Sequence, residues 1–173
     1  MIVLDLLKLL IESSIAITGF AGIVIAFRYK EDSKIQRRSV ASLTSILKLS
    51  LLTAFFAFIP LILITFGLKD ELLWTICSII GAAVGFALMY SIDRKIRPAI
   101  NKSDLWIKYV LIQGISLFLI VCLILNSTNI IFHREPGPYL LSGFFMLTLS
   151  GYMFFGLLLN PLWKQVLKNE SNK

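Results

Sequence analysis

An uninterrupted apolar run at residues 13–27 constrains the fold of this chain more than any other feature. It reads SSIAITGFAGIVIAF and lies between Glu12 and Arg28. A helix that crosses a lipid bilayer needs about 20 mostly apolar residues. The run reaches that length when the helix begins near Leu7, so the sequence predicts a first membrane-spanning helix over residues 7–27.

Composition extends the membrane assignment to the whole chain. Hydrophobic residues make up 57% of the 173 residues and charged residues 16%, whereas ordinary globular domains contain roughly 45–50% and about 25%. A soluble chain of this length cannot bury so much apolar surface. The basic residues behind the net charge of +7 lie mainly in short loops between apolar segments, a pattern that sets membrane topology. We therefore expect no nucleic-acid partner.

Four further apolar segments follow the first. Residues 67–71 form a connection short enough to make the second and third segments an antiparallel hairpin, and Pro60 predicts a kink within the second. Pro138 precedes the fifth segment, and Asn160 with Pro161 predicts its end. The sequence therefore predicts an all-α fold, a single integral membrane domain over residues 1–173 that is a bundle of five transmembrane helices. The predicted helices cover about residues 7–27, 36–66, 72–92, 105–125 and 139–159.

Lysine and arginine are distributed unequally between the two ends of these segments. Residues 28–38, 93–104 and 160–173 hold twelve of the 17 basic residues, whereas the opposite side holds three. Loops rich in lysine and arginine stay in the cytoplasm. The sequence thus predicts two cytoplasmic loops (28–38 and 93–104), a cytoplasmic tail (160–173), and an N-terminus outside with the C-terminus inside. Anionic lipid headgroups are the expected partners of these basic segments.

Three charged residues lie near the start of the first helix. Asp5, Lys8 and Glu12 are three and four residues apart and therefore share one helical face. One interpretation is a helix end at the membrane surface in which Lys8 pairs with either acid. The other is an intramembrane carboxylate, Glu12, that binds a cation or relays protons.

Other polar residues define a candidate ion or polar path together with Glu12. Ser42, Ser45 and Lys48 lie on one stripe of the second helix. That stripe is either a helix end facing water and headgroups or the wall of an aqueous vestibule. Gln113 is an amide well inside the fourth segment, where interhelical hydrogen bonding and a ligand role are the alternatives.

Small residues predict where helices approach one another closely. Gly19 and Gly22 lie in the first helix, Gly81 and Gly85 form a GxxxG motif in the third, and Gly151 lies in the fifth. In lipid, packing rather than the hydrophobic effect drives helix association, and small residues let backbones meet. The partner helix belongs either to the same chain or to a copy of it.

Residues that carry catalysis or bind metals are sparse. Cys77 and Cys122 both lie in apolar segments, where cysteines mostly act as small apolar fillers, although their shared depth permits a disulfide. His133 is the only histidine, and no intramembrane carboxylates are paired. The sequon at Asn126 abuts a helix and is expected to be fortuitous. We expect no metal, no cofactor and no enzymatic activity.

The stretch ITGFAGIVIAFR, the charged loop after it and the stretch FAFIPLIL resemble a group of small bacterial inner-membrane proteins of unknown function. The resemblance implies a multi-pass protein of the bacterial inner (plasma) membrane. It implies no activity and no functional residue.

Two functions follow from these patterns. The first is a small oligomeric channel or transporter for a cation or small solute, with a ring of Glu12 side chains at its outer mouth. The second is a non-transporting assembly, scaffold or sensory subunit that docks on another membrane protein. A continuous polar route through Glu12, Gln113 and the Ser42–Ser45–Lys48 stripe would distinguish them.

Overall fold

The computed structural model describes residues 2–28, 33–96 and 103–170, and this part of the chain contains five α-helices and no β-strand. The predicted all-α fold with five helices is confirmed. The helices are α1 (Ile2–Arg28), α2 (Ser33–Thr65), α3 (Asp70–Ile96), α4 (Ser103–Ser127) and α5 (Gly137–Glu170).

Each helix contains a segment long and apolar enough to cross a membrane. Inside lipid no water can satisfy backbone N–H and C=O groups, and a helix satisfies them within one segment. The protein is therefore a multi-pass membrane protein, while the side on which each terminus lies stays a prediction. The apolar spans are Ile2–Val24, Leu43–Thr65, Asp70–Ser91, Tyr109–Ser127 and Gly137–Gly156.

Several helix ends differ from those predicted. Helix α1 begins at Ile2 rather than near Leu7, because Asp5 and Lys8 are compatible with a helix even though they interrupt the apolar pattern. Helix α5 continues through residues 160–161 to Glu170, although a proline inside a helix removes one backbone hydrogen bond. Residues 33–38, 93–96 and 103–104, predicted as loop, are helical.

Contacts divide the chain into two compact units. Unit 1 comprises Met1–Phe58 and Gly143–Lys173 and contains α1 with parts of α2 and α5. Ala21 and Ile46 are its fully buried centre, surrounded by partly buried apolar side chains. Those side chains are Ile17, Val24, Leu43, Met153 and Phe154.

Helix α5 approaches α1 closely within unit 1. A β-carbon placed on Gly143 would lie 3.0 Å from a methyl carbon of Leu10 and 3.8 Å from a ring carbon of Phe56. Gly143 therefore provides the space in which the buried Leu10 side chain packs.

Unit 2 comprises Ile59–Ser142, in which α3 packs against α4. A β-carbon placed on Gly85 would lie 3.0 Å from Cγ1 of the buried Ile120. The rings of Trp74 and Tyr139 meet at a tilt, with centroids 6.1 Å apart. Gly67 connects α2 to α3 with φ +70°, a conformation that glycine adopts readily. The predicted tight connection at this point is thus a glycine turn.

Candidate functional site

Helix α1 has two opposite faces that differ in burial. On one face Leu7, Leu10, Ser14 and Ala21 are buried. On the other, the residues at positions 5, 12, 19 and 26 are exposed. Residues seven apart lie on almost the same side of a helix. Positions 7, 14 and 21 are each two residues after positions 5, 12 and 19, and two residues correspond to a rotation of about 200° around the helix axis. One side of α1 therefore packs within the chain, and the other is left uncovered by its described residues.

Glu12 lies on the uncovered side and deep within the span. It is exposed, and it is the eleventh of the 23 residues of the span Ile2–Val24. Ten residues of helix separate it from Ile2, which is about 15 Å along the axis. The sequence predicted Glu12 only about one turn below the membrane surface, because it started the helix near Leu7.

The charges of α1 form no pairs with one another. Asp5, Lys8 and Glu12 are all exposed. Among the described residues an ion pair joins Arg134 to Glu71, and it includes none of these three. The self-neutralised helix end suggested by the three- and four-residue spacing is not formed. Holding two long, exposed side chains in one geometry costs rotamer entropy that a single surface pair hardly offsets.

The small residues of α1 also lie on the uncovered face. The stripe of Glu12, Ala16, Gly19, Ile23 and Ala26 is exposed along its length. No described atom lies within 4 Å of a β-carbon placed on Gly19 or on Gly22. Close helix packing at these two glycines therefore stays a prediction. Its partner would be a copy of the chain or another protein, since no described residue of this chain contacts the two glycines.

The polar stripe predicted on α2 is described in part. Ser45 and Lys48 are exposed, and Lys48 is the sixth residue of the span Leu43–Thr65. Ser42 lies outside the residues whose side chains the structure describes. Glu12, Ser45 and Lys48 thus all belong to unit 1. They are polar side chains on the surface of a unit whose other exposed residues are largely apolar.

Gln113, in unit 2, connects α4 to α3. Its amide Nε2 donates to the carbonyl oxygen of Met89 at 3.5 Å and to the hydroxyl oxygen of Tyr109 at 3.3 Å. The Tyr109 hydroxyl in turn donates to a carboxylate oxygen of Asp93. The bond to Met89 is interhelical, which is the first of the two alternatives considered for Gln113.

The remaining predicted packing glycines differ in their surroundings. Gly85 lies at the close contact with Ile120, and Gly81 is buried in the same helix. Gly151 of α5 is half-buried, and no described atom lies within 4 Å of a β-carbon placed there.

Asn126, which the sequence marks only as part of a fortuitous sequon, is a buried polar residue. Its amide Nδ2 donates to Ser78 Oγ at 2.8 Å and to the Glu135 carbonyl at 2.9 Å, and its Oδ1 accepts from the Glu135 N–H at 3.0 Å. The side chain is fully buried. It therefore joins α3, the end of α4 and the α4–α5 connection, and in the folded protein its nitrogen is inaccessible to a glycan. An amide at a helix end before a turn-rich segment is the signal that would have found it.

Left-handed residues shape the α4–α5 connection. Asn129, with φ 61°, ends α4, and the N–H of Ile130 donates back to the Leu125 carbonyl at 3.2 Å, as in a Schellman cap. His133 and Arg134 have φ of 50° and 60° and form the centre of a turn. His133 is exposed, in agreement with its predicted place in a solvated loop.

The described part of the chain contains neither a disulfide nor a metal-binding group of side chains. Cys77 and Cys122 are buried free thiols. Among the described residues, no three His, Cys, Asp or Glu side chains are grouped so that they could hold a metal ion.

Comparison with models of known protein families, with curated proteins and with solved structures found no match for this chain. The resemblance of the first two helices to small bacterial inner-membrane proteins therefore stays a prediction.

Proposed function

We propose that the protein works as an oligomeric membrane channel or transporter for a cation or small solute, in which the charged face of α1 borders the path. The observation that carries the proposal is the position of Glu12, which is exposed, near the middle of an apolar span, and not paired with any described residue. The path is formed between copies, not through one chain.

The cost of an uncovered charge in lipid supports this arrangement. A charged side chain at the bilayer centre costs about 2.5–3.5 kcal/mol on insertion scales, and such residues almost always face a protein interior or a water-filled cavity. Lys8 and Glu12 both lie in the span Ile2–Val24 and both are exposed. Water in a path between copies would solvate them.

The sign of the charge favours cations. The uncovered face of α1 carries two carboxylates, Asp5 and Glu12, and one ammonium group, Lys8. Each copy thus contributes a net negative charge to the path, and rings of acidic side chains select cations.

A non-transporting assembly, scaffold or sensory subunit is the second candidate, and one observation favours it. The amide of Gln113 donates to Met89 of α3 and to Tyr109 of its own helix and is not held open for a solute. Glu12 and the glycines of α1 would then contact a partner membrane protein rather than border a path.

The finer placement of the protein is part of the same proposal. We assign it to the bacterial inner membrane, with the N-terminus outside and the basic residues 28–38, 93–104 and 160–173 in the cytoplasm against anionic headgroups. Alkaline phosphatase fused after residue 173 should be inactive and fused within the α4–α5 connection should be active. The opposite pattern would reverse this orientation.

Flux measurement in liposomes tests the transport proposal. Purified wild type should conduct monovalent cations or protons, and Glu12→Gln should reduce the flux about tenfold or more while the protein stays folded. Glu135→Gln is the matched control, because Glu135 is an exposed carboxylate in the α4–α5 connection. Absence of flux for every common cation, with an intact protein, would favour the docking function instead.

A further inference from the structure

We propose that copies of this chain associate through α1, parallel and in register, along its uncovered face. This inference rests on the proposed function, since it names the surface through which the conducting assembly forms. The residues that define the face follow one another at alternating intervals of three and four, and all seven are exposed. This outer α1 face consists of Asp5, Lys8, Glu12, Ile15, Gly19, Gly22 and Ala26.

The spacing is that of a helix–helix seam. Residues that repeat every seven positions at alternating three- and four-residue steps meet their equivalents when two helices coil around each other with a left-handed twist. The buried face of α1 shows the same rhythm in Leu7, Leu10, Ser14 and Ala21, which pack within the chain. Helix α1 thus has one seam in use and a second, opposite seam without a described partner.

Charges of opposite sign follow one another along the outer α1 face. They alternate in sign, with the ammonium of Lys8 between the carboxylates of Asp5 and Glu12, and none of the three pairs with another described residue. In a parallel pair in register each charge lies level with its own equivalent, and Lys8 of one copy lies about one helical turn along the axis from both acids of its neighbour, since one turn rises about 5.4 Å. Each ammonium is then flanked by carboxylates of the other copy.

Orientation favours the parallel arrangement. The unequal distribution of lysine and arginine gives every copy the same direction of insertion, so that identical faces meet at identical depth. A pairing of this kind also takes Lys8 and Glu12 out of lipid, where an uncovered charge is costly.

The second half of the face is shaped for close approach. Gly19, Gly22 and Ala26 carry no side chain beyond a β-carbon, and Gly22 with Ala26 forms a small-xxx-small pair. No described atom of the chain lies within 4 Å of a β-carbon placed on Gly19 or Gly22. Two α1 helices can therefore meet backbone to backbone at one end and through ion pairs at the other.

Cysteine cross-linking in membranes tests the seam directly. Ile15→Cys and Gly22→Cys should form disulfide-linked dimers of this chain under mild oxidation. Phe118→Cys is the matched control, because Phe118 of α4 and Ile15 are both 62% exposed. The wild type serves as the blank, since Cys77 and Cys122 are buried. Equal cross-linking at all positions, none on α1, or adducts only with a different protein would overturn the proposal.

Charge reversal tests the register. Lys8→Glu and Glu12→Lys should each reduce cross-linking through Gly22→Cys by about fivefold, the effect of losing one modest ion pair. When the two charge variants are mixed before reconstitution, mixed dimers should exceed both homodimers. A mixture that behaves like the single variants would overturn the predicted register. If a charge variant fails to insert, Gly22→Leu supplies the test, since its bulk should abolish cross-linking through Ile15→Cys.

The flux experiment and the cross-linking experiment test the two proposals independently. Cross-links along the outer α1 face without ion flux would refute transport and leave the seam. Flux without these cross-links would refute the seam and leave transport.

Discussion

The hydroxyl oxygens of Ser50 in α2 and Ser150 in α5 lie 2.6 Å apart, and both side chains are fully buried. Ser150 also lies 3.5 Å from the carbonyl oxygen of Ile46. In an apolar interior each hydroxyl needs a partner, because a buried unsatisfied polar group costs about 1–3 kcal/mol. This pair therefore fixes α2 against α5 within unit 1.

Replacing both serines of this pair should destabilise the protein by less than the two single replacements added together. We expect Ser150→Ala to lower the free energy of unfolding by about 1–2 kcal/mol, and Ser50→Ala to cost less because Ser150 retains the Ile46 carbonyl. The double variant should cost less than the sum of the two. Thermal unfolding in detergent, followed by circular dichroism, measures this. Thr148→Val, an exposed hydroxyl of the same helix, is the control, and additive effects would contradict the pairing.

Asn126→Ala should loosen the α4–α5 connection. The change removes three hydrogen bonds and leaves the Glu135 C=O without this partner, while the Glu135 N–H keeps its bond to the Phe132 carbonyl, so we expect a loss of about 1–3 kcal/mol. Amide hydrogen exchange should accelerate at residues 129–135. Ser127→Ala is the control, since its hydroxyl bonds only to the Ile124 carbonyl of its own helix. Unchanged exchange in Asn126→Ala would show that the connection is held by other contacts.

Gly85→Leu should separate α3 from α4. A β-carbon there already lies 3.0 Å from Ile120 Cγ1, so a larger side chain forces a shift that costs about 1–3 kcal/mol. Gly114→Ala should instead stabilise α4 by about 0.5–1 kcal/mol, because no described atom lies within 4 Å of its β-carbon and alanine is the better helix former. Unfolding temperatures of the two variants should therefore move in opposite directions. An unfolding temperature of Gly85→Leu that stays equal to that of the wild type or rises would contradict the close contact at Gly85.

Gln113→Leu should lower stability and leave cation flux unchanged. Interhelical hydrogen bonds in membranes contribute about 0.6 kcal/mol on average, and Gln113 makes one such bond to Met89. Flux in liposomes, measured beside Glu12→Gln, separates the two roles considered for this amide. If Gln113→Leu reduced flux as much as Glu12→Gln while the protein stayed equally folded, Gln113 would have to be part of the ion path.

Some features of this fold follow from the sequence alone. The lengths of the apolar runs and the polar residues between them predicted five spanning helices, because a chain in lipid satisfies its backbone hydrogen bonds within each helix. The glycine at position 67 likewise marked the turn between α2 and α3. The ends of the helices do not follow from the apolar pattern, since charged residues such as Asp5 and Lys8 interrupt that pattern without interrupting a helix.

Only the tertiary structure decided which face of each helix is covered. In a soluble protein polarity separates the inner from the outer face, but in lipid both faces are apolar and hydropathy does not tell them apart. The buried face at Leu10, the uncovered face at Glu12 and the pairing of Ser50 with Ser150 appear only once the helices pack. The sequence determined that the chain crosses a membrane in helices, because that depends on local composition. The packing of those helices decided which residues are left to meet a partner, because that depends on contacts between residues far apart in the chain.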